Sequence, residues 1–257
     1  MIDPRIALAG FIVGAITGLS GIGGSSLLAP VLILVLSVKP TLAVGTDLMY
    51  SVPTKLLAAF VHARQRNVDP GITTALAAGG VPGALAGLGL FAVLRSQLAA
   101  AMLQQIVRHT IGLAILCACV ALLATYLLRA RFAARGALSA RGTRVRAVAI
   151  GFVVGLLVAL TSIGSGSVTL PLLLLALPGL AVRRLIGSEI AFAAIVVPVA
   201  ALGHAGFGDV DWRITGSLLA GSLPGVFLGS RLCMKIDERQ LRIVIVAVLA
   251  YAAYRLL

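Results

Sequence analysis

Long apolar stretches set the terms for what this chain can become. To within a few residues they run Ile6–Ser37, Thr41–Val61, Ile72–Leu94, Ile111–Leu128, Ala147–Leu177, Leu185–Leu202, Ile214–Leu232 and Ile243–Leu257. A helix crossing a bilayer needs about 20 predominantly apolar residues. Of the 257 residues, 60% are hydrophobic and 11% charged, where a soluble domain carries about 45–50% and 25%. A soluble globular domain is therefore excluded, and so is disorder, which needs low hydrophobicity. The runs are continuous rather than alternating over about ten residues, which argues against a membrane β-barrel. The expectation is an all-α integral membrane protein with several crossings.

The net charge is +13. Most of the basic residues flank apolar stretches, where they set orientation and meet lipid headgroups. Aromatics are only 5%, too few for a base-stacking platform, so no nucleic-acid partner is expected. Cys117, Cys119 and Cys233 are an odd set without CxxC or Cys/His spacing, so neither a disulfide framework nor a metal site is expected. No cofactor is implied, and no GxxxxGK phosphate loop occurs. The N-terminal stretch has little positive charge and no small-x-small cleavage signal. It reads as structural.

The chain repeats itself. Gly10-Phe-Ile-Val-Gly14 matches Gly151-Phe-Val-Val-Gly155, and Ser20-Gly-Ile-Gly-Gly-Ser-Ser26 matches Thr161-Ser-Ile-Gly-Ser-Gly-Ser167, with Pro30 on Pro171. One residue further in offset, Gly45-Thr46-Asp47 matches Gly187-Ser188-Glu189, His62 matches His204, and Asn67-Val68-Asp69 matches Asp209-Val210-Asp211. Pro82-Gly83 and Gly87 match Pro224-Gly225 and Gly229. A common offset held this far marks a duplicated unit of four apolar segments. Residues 1–128 form the first repeat and 147–257 the second. Residues 129–146 form a basic connector with six arginines (129, 131, 135, 141, 144, 146) and no acid, expected on the cytoplasmic side.

The first segment of each repeat is too long for one crossing. Ile6–Ser37 spans 32 residues, about 48 Å as a straight helix against a hydrocarbon core of about 30 Å. Each is interrupted by Gly and Ser, so it either crosses once as a broken helix or turns back as a re-entrant hairpin. Counting cations separates the two. Eight single crossings put eleven cations on one side and nine on the other, with Lys55 inside a span; six crossings plus two hairpins put fourteen against six. The second plan obeys the positive-inside rule better. It also gives each repeat three crossings, so the repeats are inverted, as in many secondary transporters with a site between broken helices near the midplane.

Glycine lets the backbone unwind at the breaks. The helix that follows offers unpaired N–H groups and a positive dipole end, which suit an anion. The plainer reading is that small residues permit close helix packing, but two matched copies in two over-long segments favour a site. Its candidate residues are Ser20, Gly23, Gly24, Ser25 and Ser26 from the first break and Thr161, Ser162, Gly164, Ser165, Gly166 and Ser167 from the second, with Thr46 and Ser188 flanking. Of the eight acids, only Asp47 and Glu189 lie within spans, at matching positions. A buried intramembrane acid marks function by default; these two would carry a coupling proton or cap a helix. Lys55 would neutralise an anion or snorkel to the interface. His62 and His204, beside Asn/Asp-rich turns, read as turn or cap residues before proton relays.

These residues in this order resemble the TauE/SafE family of sulfite exporters and related anion carriers. The resemblance covers nearly the whole chain. It rests on Gly21-Ile-Gly23-Gly24-Ser25 through Pro30, Gly45-Thr46-Asp47-Leu48-Met49-Tyr50 through Thr54-Lys55-Leu56, His62 with Asn67-Val68-Asp69, Gly164-Ser165-Gly166-Ser167 through Pro171, and then Glu189, His204 and Gly208-Asp-Val-Asp211-Trp212. Ser25 and Ser165-Gly166 depart from the family's glycine pattern. The resemblance implies a secondary transporter exporting sulfite or a small sulfonate-type anion across a bacterial inner membrane. The expected partners are that anion and the lipid bilayer, with a homodimer as the candidate assembly. Anion export from a cell negative inside is favoured by about 2.3 kcal/mol per charge per 100 mV, so coupling is not required. The rivals are a passive anion channel and an intramembrane serine hydrolase with Ser165 or Ser167 as nucleophile and His204 as base.

Overall fold

The computed structural model describes residues 3–20, 25–133, 140–177, 180–232 and 238–257, which are helical throughout apart from short turns. Ten helices follow one another: α1 (Pro4–Ser20), α2 (Ser25–Leu34), α3 (Pro40–Arg64), α4 (Pro70–Gln97), α5 (Ala100–Ala133), α6 (Ala140–Thr161), α7 (Thr169–Ala176), α8 (Val182–Gly206), α9 (Trp212–Leu232) and α10 (Glu238–Leu256). Among the described residues, Pro70–Gln97, Ala100–Thr125, Arg141–Thr161 and Val182–Gly206 are long and apolar enough to cross a membrane, and Pro4–Thr17 and Val246–Leu256 are shorter apolar helices. The chain is a multi-pass membrane protein. Large apolar side chains such as Leu57, Leu85, Leu123, Val153 and Leu202 face outward, as a lipid environment allows.

Local chemistry sets the helix ends. Pro40 and Pro70 open α3 and α4, where a missing N–H costs nothing. Asp69 caps α4 by accepting from the N–H of Gly71 (3.0 Å) and Ile72 (3.2 Å). Asp211 caps α9 in the same way, through Arg213 (2.9 Å) and Ile214 (3.0 Å). α3 and α8 both close on a left-handed residue shortly after their ends, Arg66 (φ 57°) and Gly208 (φ 77°). The basic segment 129–146 begins and ends in helix. Its arginines at 129 and 131 fall on α5, and those at 141, 144 and 146 on α6, in keeping with the good helix propensity of Arg. Arg135 lies outside the described residues.

The two halves of the chain interlock. α1 runs parallel to α9, and α4 runs parallel to α6. Gly10 and Gly14 rest on the backbone of Leu218 and Ser222, while Gly221, Gly225 and Gly229 rest on Ala7, Phe11 and Ala15. In the other pair, Gly151 and Gly155 rest on Leu76 and Gly80, and Gly79 and Gly83 on Val148 and Phe152. A Cβ at any of these would collide with the facing backbone, so small residues four apart let each pair approach closely. α3 and α8 pack antiparallel at the centre. Gly45 abuts the Asp209 carbonyl beyond the end of α8, and Gly187 abuts the Asn67 carbonyl beyond the end of α3.

These contacts define two ends of the bundle. At the Asp211 end, Asp3 N–H donates to Ser217 Oγ (3.0 Å), and Asp211 N–H donates to Thr46 Oγ1 (3.0 Å) six residues into α3. The chain from Asp3 to Pro40 thus starts and finishes at one end. At the Asp69 end, Arg146 Nη1 donates to Ala176 O (3.1 Å), and Leu180 lines a cavity with Thr143, Arg144 and Ala147. The α6–α7 segment also starts and finishes at one end, the opposite one.

Candidate functional site

The second break is built to hold a turn inside the protein. α6 stops at Thr161, whose hydroxyl donates to Leu157 O (2.7 Å) and accepts from Ile163 N–H (3.1 Å). Ser162 (φ 61°), Gly164 (φ 138°) and Gly166 (φ 112°) are left-handed, which Gly tolerates and Ser does at a cost of about 1 kcal/mol. The Gly164 carbonyl then accepts from Thr169 N–H (3.0 Å) and Thr169 Oγ1 (2.7 Å), which restarts the chain as α7. Thr161, Ser162, Ser165 and Ser167 are all buried.

Helix α3 brings its charges to this turn. Ser162 Oγ donates to Asp47 Oδ2 (2.7 Å), both groups buried. Two turns further along α3, Lys55 Nζ donates to Ser165 O (3.4 Å) and lies 4.0 Å from Glu189 Oε1 on α8. The Lys55 side chain is only 12% exposed, so it points into the protein rather than snorkelling. Asp47 Oδ1, Glu189 Oε1 and Ser167 Oγ are buried without a hydrogen-bond partner among the described residues. Buried polar atoms are normally satisfied. Two carboxylates and one ammonium thus lie around a turn that also holds a buried hydroxyl without a partner among the described residues.

The structure thus brings Ser162, Ser165, Asp47, Lys55 and Glu189 together around the turn that also carries Gly164, Gly166 and the buried Ser167. It places Thr46 and Ser188 elsewhere: Thr46 Oγ1 accepts from Asp211 N–H, and Ser188 Oγ accepts from Asp69 N–H (2.9 Å), so both tie down turns. Ser26 is buried in the first turn of α2. Gly23 and Gly24 lie outside the described residues, as do the side chains of Ser20 and Ser25.

His204 sits in the last turn of α8, where its carbonyl accepts from Asp209 N–H (3.0 Å). Its Nε2 is 2.8 Å from Ala159 O, which ties α8 to α6, and its ring packs on Phe91 (centroids 4.8 Å). His204 Nδ1 lies 3.9 Å from Asp209 Oδ2, which pairs with Arg95 Nη1 at 2.7 Å. Sequence reasoning missed this Arg95–Asp209–His204 group. The signal was the mismatch of Asn67 with Asp209 between the repeats, a charge present in one copy only.

Comparison with known proteins places these features. Residues 6–256 match the family described as Sulfite exporter TauE/SafE. The chain is 32% identical over 257 residues to a Bacillus subtilis protein named Probable membrane transporter protein YjnA, covering 98% of each. It is 28% identical over 231 residues to a second from the same organism, Probable membrane transporter protein YdhB, covering 88% of each. No solved structure matches the chain.

Proposed function

We propose that this chain, which belongs to the TauE/SafE family and is a membrane transporter rather than an enzyme, exports sulfite or a small sulfonate-type anion across a bacterial inner membrane. The observation that carries the reading is the Lys55 ammonium held at the Ser165 carbonyl, beside the buried and unpartnered Ser167 hydroxyl. A cation and hydroxyl donors at an unwound turn are what an oxyanion needs, and a buried ammonium attracts it strongly.

The proposed architecture is a pair of inverted repeats with six crossings (α3, α4, α5, α8, α9, α10) and two re-entrant hairpins. Three observations support it. α3 and α8, the matched helices, are antiparallel. The caps at Asp69 and Asp211 are received by matched hydroxyls, Ser188 and Thr46. Each hairpin begins and ends at one end of the bundle. The Asp69 end then faces the cytoplasm, since the six-crossing count from the sequence puts fourteen cations on that side against six.

The test is sulfite flux into proteoliposomes holding the purified protein, beside a Ser25→Ala/Ser167→Ala double variant. Saturable flux lost in the variant supports the reading. Equal flux in both makes the breaks packing devices. Flux that does not saturate points to a channel.

A further inference from the structure

The second half of the chain has no counterpart to Lys55. The matched position is Val197, fully buried, so one ammonium serves the whole site. That ammonium has an anionic neighbour, Glu189. The separation is 4.0 Å and Glu189 Oε1 makes no hydrogen bond, so the attraction is coulombic without a directional bond. Asp47 is held differently, by a short hydrogen bond from Ser162.

We infer that Glu189 is the protein's own stand-in for the transported anion: its carboxylate accompanies Lys55 when the site is empty and gives way to the substrate by taking up one proton. The inference rests on the anion-carrier reading above and adds its coupling. An anion reaching Lys55 while Glu189 stays ionised would leave two like charges facing each other at one ammonium, away from water. Protonating Glu189 removes the conflict. The proton comes from the aqueous side that delivers the anion, binds a Glu189 carboxylate oxygen, and leaves when the anion leaves. For a monovalent anion the charge of the site is the same before and after.

The surroundings of Glu189 leave this role to Lys55. From α3 it faces Lys55, with Asp47 two turns away on the same helix and His62 and Arg64 in its last turn, His62 Nδ1 being buried without a hydrogen-bond partner among the described residues. From α4 the nearest carboxylate is the cap Asp69, which lies 3.8 Å from Arg184. α6 carries Arg141, Arg144 and Arg146 only in its opening turns, with Arg146 bonded to Ala176 O. α7 has no charged residue. On α8 itself, Arg183 and Arg184 lie at the start and His204 at the far end.

One consequence is that anion and proton move together, so flux of a monovalent anion responds to a pH difference and not to membrane potential. The direct test is infrared difference spectroscopy of the full chain in lipid, perfused with and without sulfite at fixed pH, alongside sulfite flux in vesicles. Sulfite is expected to raise a protonated-carboxyl band in the wild type, and that band is expected to be missing from Glu189→Gln. The affinity for methanesulfonate, whose charge is constant, is expected to rise up to about tenfold per unit fall in pH, and to be flat with pH in the variant. Saturable sulfite flux without the carboxyl band overturns the exchange and leaves the carrier standing. No flux and no sulfite-dependent spectrum overturns the anion reading and the exchange with it. Because the wild-type spectrum alone decides, a variant that fails to fold does not rescue the inference.

Discussion

Ser162 donates its hydroxyl to Asp47 Oδ2 over 2.7 Å, and it does so from a left-handed backbone at φ 61°. The bond joins the second break to the first half's central helix. Ser162→Ala keeps the unfavourable backbone and loses a hydrogen bond to a charged partner, about 1.5–3 kcal/mol. Ser162→Gly loses the same bond but relieves about 1 kcal/mol of backbone cost. Thermal unfolding in detergent should rank them wild type, then Gly, then Ala. Equal shifts for the two variants would mean that the turn stores no strain.

Lys55→Gln removes the ammonium that reaches the turn. Anion affinity should fall by about ten- to a hundredfold, the equivalent of a charged hydrogen bond. A saturation curve of sulfite flux reads this directly. An unchanged half-saturation concentration would place the anion elsewhere.

The glycine contacts predict opposite outcomes at two sites. Gly155 has the Gly80 backbone against it, whereas Gly89 has nothing within 4 Å. Gly155→Leu should destabilise by about 1–3 kcal/mol or more through overpacking. Gly89→Ala should stabilise by about 0.5–1 kcal/mol, since Gly is a poor helix residue. Melting temperatures of the two purified variants check both.

Asp209→Asn breaks the pair with Arg95. Arg95 is 42% exposed, so solvent screening limits the loss to about 1 kcal/mol or less. Arg95→Gln should cost about the same, and the double variant little more than either, because the two act as one interaction. Additive losses would show that they act separately.

A reporter fused after Leu257 reads the orientation. With the Asp69 end in the cytoplasm, α10 delivers Leu257 to the outside, and an enzyme active only outside should be active there. Activity of a cytoplasm-only reporter would sink the six-crossing plan.

Much of this was legible in the residues. The apolar runs announced the helices, and the Gly/Ser clusters at over-long segments announced the break at Thr161. Asp47, Glu189 and Lys55 stood out as charges in apolar surroundings, and all three cluster at that break. Two things were hidden. Thr46 and Ser188 sit next to the acids in sequence, but neighbouring positions on a helix point about 100° apart, so they meet turns from the other half instead. The Arg95–Asp209 pair bridges residues 114 apart, and no local periodicity reports a partner at that distance. The matched glycines were seen as repeat markers, yet their work is done against backbone from the opposite repeat, which pairing in space alone reveals.

That exchange of helices has a mechanical consequence. α1 rests on α9 and α4 on α6 by backbone contact through glycines, so each close-packed pair of this molecule is assembled from both halves of the chain. A motion that opened a path between residues 1–128 and 147–257 as separate blocks would tear both clasps at once. Any bodies that move against one another would therefore be composite ones, each drawing a helix from either side of the middle of the chain.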